Sequence, residues 1–360
     1  MRQLVLLVLF LVSGSLQAQD TIRTYYDAEK TLIKEIYFRI NGKAEGEVKR
    51  FDEEGKLVQI GFLKNNQKEG LFLDLNPLNG DTLRLTPYSS DERNGRVLSF
   101  YPGGGIEQES TYVTNQISGE VISYYPGGEI KGKTTFSNNK PNGKSIDFHP
   151  SGIVSIKRNF LDGKIVGLYE EFDEDGTLIA EINYKNGVLE GIETFYYPDG
   201  KIKSSRNYSE GLLNGTYELN YEDGKPERVG FYKKGIPDGE LLEYHPNGKL
   251  RSKAVFKKGA PTQPIEKYYE DGTLRQQTKL TSTNTVIQET NYHPNGALYF
   301  EANYALGKIQ GEVKYFRADK SLEEVRRYDK GLLHGKREYF NEKGVLIKSE
   351  TYEEGDLTNK

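Results

Sequence analysis

The sequence contains no cysteine and no tryptophan, and it has one methionine in 360 residues. Without cysteine the chain can form no disulfide framework and no thiolate metal site, and it offers no thiol for lipid attachment. Hydrophobic residues make up only 35%, whereas ordinary globular domains have roughly 45–50%. These shortages argue against a pair of compact hydrophobic cores.

The sequence also lacks an excess of either charge. It has 49 basic and 53 acidic residues, for a formal net charge of −4. Proteins that bind nucleic acid normally carry a clustered basic surplus, so we expect no nucleic-acid partner. Glycine (39) and tyrosine (26) are instead abundant. Glycine supplies turn geometry and tyrosine suits half-buried strands, so the composition predicts many short strands joined by tight turns.

The first eighteen residues differ from the rest of the chain. Arg2 precedes an unbroken apolar run at residues 4–12, and the small residue Ala18 follows six residues later. This layout predicts a secretory signal peptide over residues 1–18, and the run is too short for a membrane span of about 20 residues. We therefore expect an exported protein, periplasmic, outer-membrane-associated or secreted, without a transmembrane segment after cleavage. An exported β-protein without disulfides suits a bacterial envelope.

A repeat of 24 residues organises the remaining chain, which we take as one array over residues 19–360. Its anchor is a turn glycine, and the regular register runs from about residue 80 to 344. The regular anchors are Gly80, Gly104, Gly128, Gly152, Gly176, Gly200, Gly224, Gly248, Gly272, Gly296, Lys320 and Gly344. Two earlier anchors, Gly55 and Lys30, follow at a spacing of 25, which makes about fourteen repeats. The pattern is irregular around 74–91 and 260–287.

Other positions keep step with the anchor, and we number them relative to it. Positions −4 and +8 are aromatic in most repeats, as in Tyr196 and Tyr208, and we expect them to form the buried stripe of a sheet. Position +11 is glycine or asparagine, as in Gly187 and Asn139. Because these residues tolerate a positive φ, position +11 predicts a left-handed turn residue.

Two turns in every 24 residues leave two strands of six or seven residues. Residues 177–184 alternate with a period of two, which is typical of a strand with one buried face. The predicted fold class is all-β: an elongated single-layer antiparallel β-meander built of about fourteen β-hairpin repeats. With strands about 4.8 Å apart, such an array should be long and thin.

One unit carries a resemblance to a known family. It reads Asn186-Gly187-Val188-Leu189-Glu190-Gly191 and continues to Phe195-Tyr196-Tyr197-Pro198-Asp199-Gly200. This unit resembles the bacterial variant of the MORN repeat, although the tryptophan common in that pattern is absent. The resemblance extends over residues 25–355 and implies a single-layer β-sheet with scaffold, membrane-proximal or protein-binding roles. Many bacterial members carry an antitoxin-component label, which fits poorly with export.

The residue types of enzyme sites are not arranged as a site in this sequence. Three of the four histidines, His149, His245 and His293, occupy the same position −3, and the closest two lie two repeats apart. In the predicted stack this separation is about 20 Å, far beyond the roughly 2 Å zinc–nitrogen bonds of a shared metal site. We therefore predict no catalytic residue, no metal site and no cofactor, and expect that the protein is not an enzyme.

Position −3 is the one candidate binding face. If strand alternation places it opposite the buried stripe, its side chains recur outward about every 10 Å, and tyrosine is favoured at interfaces. Its members are Tyr101, Tyr125, His149, Tyr197, Tyr221, His245, Tyr269 and His293. The structural alternative is that these tyrosines pair across strands and support the sheet.

These observations predict a non-catalytic scaffold or protein-binding surface in the bacterial cell envelope. The partner is expected to be another protein or envelope component. Two alternatives stay open: a carbohydrate or cell-wall binder that uses the tyrosines of position −3, and an accessory module to a separate enzyme or toxin.

Overall fold

The computed structural model describes residues 19–359, so the predicted signal peptide lies outside the described residues. All regular secondary structure in 19–359 is β-strand, with no helix. The chain divides into two compact units. Unit 1 comprises the residues up to 155 together with 160–164, and unit 2 comprises 156–159 together with 165–360.

Unit 1 contains fourteen complete strands. In chain order they are β1 Gln19–Tyr25, β2 Ile33–Ile40, β3 Lys43–Phe51, β4 Leu57–Lys64, β5 Gln67–Lys68, β6 Gly70–Leu75, β7 Thr82–Ser89, β8 Glu92–Arg93, β9 Gly95–Phe100, β10 Ile106–Val113, β11 Gln116–Ile117, β12 Gly119–Tyr124, β13 Ile130–Ser137 and β14 Lys140–Phe148. Strand β15, Val154–Leu161, contributes residues to both units.

Unit 2 contains the remaining strands, except that Lys164, the first residue of β16, belongs to unit 1. They are β16 Lys164–Phe172, β17 Leu178–Lys185, β18 Val188–Tyr196, β19 Ile202–Ser209, β20 Leu212–Asn220, β21 Pro226–Lys233, β22 Ile236–Tyr244, β23 Leu250–Lys257, β24 Ala260–Pro261, β25 Ile265–Tyr268, β26 Leu274–Leu280, β27 Val286–Tyr292, β28 Leu298–Ala305, β29 Lys308–Phe316, β30 Leu322–Asp329, β31 Leu332–Leu333, β32 Gly335–Phe340, β33 Leu346–Glu353 and β34 Asp356–Asn359.

Within each unit the strands pair antiparallel with their neighbours in sequence. In unit 1, β2 pairs with β1 and β3, and in unit 2, β18 pairs with β17 and β19. Where a bulge interrupts a strand, both pieces pair with the same partner, as β5 and β6 do with β4. The predicted all-β antiparallel meander of hairpin repeats is therefore confirmed.

The anchor glycine closes a three-residue hairpin loop. The amide of Gly200 donates to the carbonyl of Tyr197 at 2.8 Å, and the amide of Tyr197 donates to the carbonyl of Lys201 at 2.8 Å. Gly200 has a φ of +82°. A loop of this length commonly ends in a left-handed residue that forms a β-bulge, which explains why glycine recurs at the anchor.

Position +11 belongs to a tighter, two-residue turn. Lys185 and Val188 pair across it, and the central residues Asn186 and Gly187 have φ values of 53° and 80°. Two successive positive φ values define a type I′ turn, whose twist matches that of a hairpin. The left-handed conformation predicted at position +11 is present. The residue before it is left-handed too, even as Glu210 or Lys234, because the turn type imposes that geometry on residue types that do not favour it.

The two aromatic positions lie on opposite faces of the sheet, so the prediction of one shared buried stripe is wrong. Tyr208 at position +8 pairs with Gly191, which places it on the face of Glu193. Tyr196 at position −4 alternates onto the other face, where its hydroxyl donates to Glu181. The bulge between Phe195 and Tyr196 shifts the register by one residue, and counting along the sequence misses that shift. We call the face with position +8 face A and the other face B.

Both aromatic positions are mostly half-buried, and most fully buried apolar side chains lie in mid-strand on face A. They include Val48, Phe72, Val97, Val121, Ala180, Ala254, Ala302 and Val313. Phe72 lies directly over Gly61 of a neighbouring strand, where an added Cβ would meet the ring at 2.3 Å. A sheet face thus buries large side chains by placing small residues beneath them.

The irregular stretch at 260–287 contains a substituted turn. The amide of Thr281 donates to Thr285 O at 2.8 Å, and the amide of Asn284 donates to Thr281 O at 3.0 Å. This is the hydrogen-bond pattern of the anchor loop, with Asn284 (φ 63°) in the place of glycine. In this repeat a three-residue loop therefore replaces the type I′ turn.

Candidate binding surfaces

The tyrosines at position −3 connect each repeat to the next. The hydroxyl of Tyr197 donates to the backbone carbonyl of Asn220 at 2.7 Å, 23 residues further along the chain. Four other tyrosines make the same bond at 2.7–2.8 Å, namely Tyr101 to Tyr124 O, Tyr125 to Phe148 O, Tyr221 to Tyr244 O and Tyr269 to Tyr292 O. Each anchor loop of this kind is therefore tied to the strand end of the following repeat.

Histidine and arginine make the same connection. His245 Nε2 lies 3.2 Å from Tyr268 O, His293 Nε2 lies 2.7 Å from Phe316 O, and Arg317 donates to Phe340 O. His149 occupies the equivalent position and is half-buried. What unites these residue types is a side chain long enough to place an N–H or O–H group on a carbonyl of the next repeat.

Where position −3 carries aspartate or asparagine, the side chain caps its own loop instead. Asp173 Oδ1 accepts from the amide of Thr177 at 2.9 Å, and Asn341 Oδ1 accepts from the amide of Val345 at 2.9 Å. The predicted binding-face residues are all half-buried, and the loop edge of each unit brings its own members into one row. The hydrogen bonds of the five tyrosines and of two of the histidines go to backbone carbonyls. Position −3 therefore has a structural role, which the residue types alone do not reveal.

At the opposite edge, both central amides of several type I′ turns bond to the preceding repeat. The amide of Gly211 donates to Leu189 O at 3.0 Å, and the amide of Glu210 donates to a carboxylate oxygen of Glu190 at 2.8 Å. The same pair of bonds occurs at Lys258 and Gly259, with Asp238 and Pro237 as the acceptors. The backbone donors at this edge are thereby satisfied by a neighbouring hairpin.

Asparagine at position +11 adds a second bond that glycine cannot make. The amide of Asn139 donates to Ile117 O at 3.2 Å, while Asn139 Oδ1 accepts from the amide of Ile117 at 2.7 Å. Asn66 with Ala44 and Asn115 with Arg93 form the same reciprocal pair. Sequence reasoning treated asparagine as a substitute for glycine and missed this contact; its signal was a polar residue recurring where glycine also fits.

A row of exposed apolar side chains runs along the type I′ turn edge of unit 2. Val188, Leu212 and Ile236 follow successive turns and are 44%, 49% and 48% exposed. Each side chain covers the turn glycine of the next repeat. A Cβ on Gly211 would lie 3.2 Å from Val188 Cγ1, and one on Gly259 would lie 2.8 Å from Ile236 Cγ2. We call these three residues the apolar edge row.

On face A, carboxylates pair with arginine and tyrosine. Glu193 accepts from Arg206 Nη1 at 3.1 Å and from the Tyr208 hydroxyl at 3.4 Å. Glu324 lies between Arg326 and Arg337. Burial acts to raise the pKa of Glu324, but hydrogen bonds from both guanidinium groups outweigh it and the pKa is lowered. Glu324 is therefore held ionised, and both acids take part in structural ion pairs.

Tyrosines on both faces have raised pKa values. Burial raises the pKa of Tyr169 and Tyr196 to about 12, and the nearby carboxylates of Glu171 and Glu181 add to the effect. A phenol beside a carboxylate resists ionisation because two negative charges would then be adjacent. These hydroxyls are therefore hydrogen-bond donors at neutral pH.

The structure places the histidines in separate repeats. Among residues 19–359, no three or more His, Cys, Asp or Glu side chains are grouped so that they could hold a metal ion. Over the same residues, none of the secondary structure is a helix of the length and apolarity that a membrane crossing needs.

Comparison with known families identifies the repeat. The MORN repeat variant matches seven segments: 44–65, 93–114, 117–138, 165–186, 189–210, 213–234 and 237–258. Most of these segments begin just after one type I′ turn and end within the next, so each contains the hairpin around an anchor loop. The chain is a MORN-repeat protein.

No curated protein matches the chain. Among solved structures, it is similar to part of a Tc holotoxin pore of Photorhabdus luminescens, with 10% identity over 87% of this chain and 18% of that one, and a TM-score of 0.17. It is also similar to a TcdB2–TccC3 structure, with 11% identity over 94% and 24% of the two chains and a TM-score of 0.13. The chain thus spans less than a quarter of their length.

Proposed function

We propose that this protein is an exported, non-catalytic repeat protein of the bacterial cell envelope that binds another protein through its repeat surface. The observation that carries the proposal is the apolar edge row. Three branched apolar side chains in equivalent positions of successive repeats are each nearly half exposed. Contiguous exposed apolar surface on a soluble protein is typical of a contact site.

The surroundings of the row suit a protein interface. The acceptors Glu190 and Asp238, which bond to the turn amides, lie on the same edge. An apolar centre with a polar border is the usual composition of a protein–protein contact. Because the row continues from one repeat to the next, the partner is expected to present an extended apolar segment and not a single side chain.

Two further lines support the remaining parts of the proposal. Export rests on the sequence of residues 1–18, with its basic residue, apolar run and small residue at the end. The non-catalytic role rests on the use of the ionisable groups. Glu193 and Glu324 are committed to arginine, and His245 and His293 to backbone carbonyls.

The test is cross-linking mass spectrometry in intact cells, with cell fractionation to locate the protein. A triple variant, Val188→Ser, Leu212→Ser and Ile236→Ser, should lose reproducible cross-links to its protein partner. The control variant Val345→Ser with Ile347→Ser changes side chains that are 57% and 65% exposed outside the row, and it should keep them. Cross-links that survive the triple change, or that never form, would contradict the protein-binding role. A cytoplasmic location would contradict export.

A further inference from the structure

Unit 1 contains a polar depression on face A, separate from the apolar edge row. It has a volume of about 270 Å³ and lies over strands β7, β9 and β10. Thr86, Val97 and Ser110 form its floor and are only 5%, 6% and 6% exposed. Thr86 and Ser110 are small side chains, which leaves open space above them on this face.

Five polar side chains that line the depression make no hydrogen bond with the described part of the protein. They are Arg84, Thr86, Ser99, Gln108 and Ser110. In the next repeat, Thr134 occupies the position of Ser110 and bonds to Ser145 at 2.9 Å. Thr86 and Ser110 are each more than nine-tenths buried as whole residues, so a ligand in the depression that supplies hydrogen bonds would stabilise their hydroxyl groups.

Two guanidinium groups lie at different ends of the depression. Arg84 lies near one end, opposite Ser99 on one neighbouring strand and Asp74 on the other. Asp74 accepts a hydrogen bond from Gln59 and not from Arg84. Arg93 lies near the other end, with its guanidinium carbon 4.3 Å from the centre of the Tyr112 ring. Two arginines against one aspartate leave the lining with a net positive charge.

We propose that this depression binds an acidic sugar, with Arg84 holding the carboxylate and Thr86, Ser110 and Gln108 bonding to ring hydroxyls. A guanidinium group matches a carboxylate with two parallel hydrogen bonds, and an array of hydroxyl and amide groups matches a polyol. The volume is below the roughly 300–1,000 Å³ of pockets for drug-sized ligands, so it fits one sugar residue, free or at the end of a chain. Asp74 favours a monoanion over a phosphate dianion.

The test is isothermal titration calorimetry of the whole protein with D-glucuronate, D-glucose and D-glucose 6-phosphate. Saturable binding of glucuronate, weaker with glucose and weakened by salt, is expected. The Arg84→Gln variant should bind glucuronate roughly tenfold or more weakly, because it loses the charge-assisted hydrogen bonds to the carboxylate. Thr86→Val with Ser110→Ala should also weaken binding, since the hydroxyls are lost and no larger side chain enters the depression.

Arg96→Gln is the matched control. Arg96 lies on the same strand as Val97 but on face B, where it pairs with Glu109 at 2.5 Å, so its loss should leave glucuronate binding unchanged. Circular dichroism should show all variants folded, because Arg84 is exposed and makes no bond that folding requires. Equal affinity for glucose, preference for the phosphate, binding unchanged in Arg84→Gln, or no saturable binding would each overturn the proposal. None of these outcomes would affect the proposed protein-binding role of the apolar edge row.

Discussion

The hydroxyl of Tyr197 bonds to the backbone carbonyl of Asn220 at 2.7 Å, which joins an anchor loop to the strand end of the next repeat. Neighbouring repeats are thus coupled by side chains as well as by strand pairing. In repeat proteins the stability is roughly the sum of the units and of the interfaces between neighbours. A single bond of this kind therefore contributes to an interface that recurs along each unit.

Replacing Tyr197 with phenylalanine should remove that bond while keeping the ring. We expect the free energy of unfolding to fall by about 1 kcal/mol, the usual contribution of one hydrogen bond. Urea unfolding followed by circular dichroism measures the change. The control is Tyr299→Phe, because the Tyr299 ring contacts His293 and Tyr315, but its hydroxyl makes no hydrogen bond within residues 19–359. Equal losses in the two variants would show that the position −3 bond contributes nothing of its own.

At turn position 139 we expect asparagine to give the most stable protein, glycine a less stable one and alanine the least stable one. Asn139→Gly keeps the left-handed backbone, φ 64°, but loses the bond from the Ile117 amide, so a loss of up to about 1 kcal/mol is expected. Asn139→Ala loses the bond and adds the steric cost of a left-handed alanine, about 1 kcal/mol more. Denaturant midpoints for the three proteins give the order. An alanine variant as stable as the glycine variant would contradict the conformational argument.

Adding a methyl group at Gly61 should destabilise unit 1. The new Cβ would lie 2.3 Å from ring atoms of Phe72, which is only 1% exposed and has little room to move. Overpacking of this kind costs about 1–3 kcal/mol. Thermal unfolding of Gly61→Ala should show a lower midpoint. Gly105→Ala is the control, because the nearest atom to its added Cβ is 3.7 Å away; an equal loss there would contradict the packing explanation.

Alkaline pH should weaken the fold through Tyr196. Burial first, and then the carboxylate of Glu181, raise its pKa from 10.0 to about 12. Because the folded state favours the neutral phenol, the stabilisation is fully present below pH 10 and is lost as the pH rises from 10 through 12. Urea unfolding at several pH values in this window should show a shallower decline for Tyr196→Phe than for the natural protein. Parallel declines would mean that other groups control the alkaline transition.

The sequence by itself determined the repeat and its turns. Glycine at the anchor and glycine or asparagine at position +11 are needed where φ is positive, and the structure has both conformations at the predicted residues. Alternation then placed a strand on each side of every turn. These features depend on local backbone sterics, which the residue type reports directly, and they sufficed for the all-β fold and the MORN resemblance.

Tertiary structure decided which positions share a face and which side chains find partners. The one-residue shift at the anchor bulge puts Tyr196 and Tyr208 on opposite faces, although their even spacing suggests a common one. Tertiary structure also decided that the Tyr197 hydroxyl bonds to a carbonyl of the following repeat. It likewise gave the Thr134 hydroxyl a partner in Ser145, whereas the equivalent Ser110 hydroxyl has none among the described residues. Such differences arise because hydrogen bonds between repeats depend on cross-strand register and on the size of the residue opposite, and neither can be read from one position of a repeat.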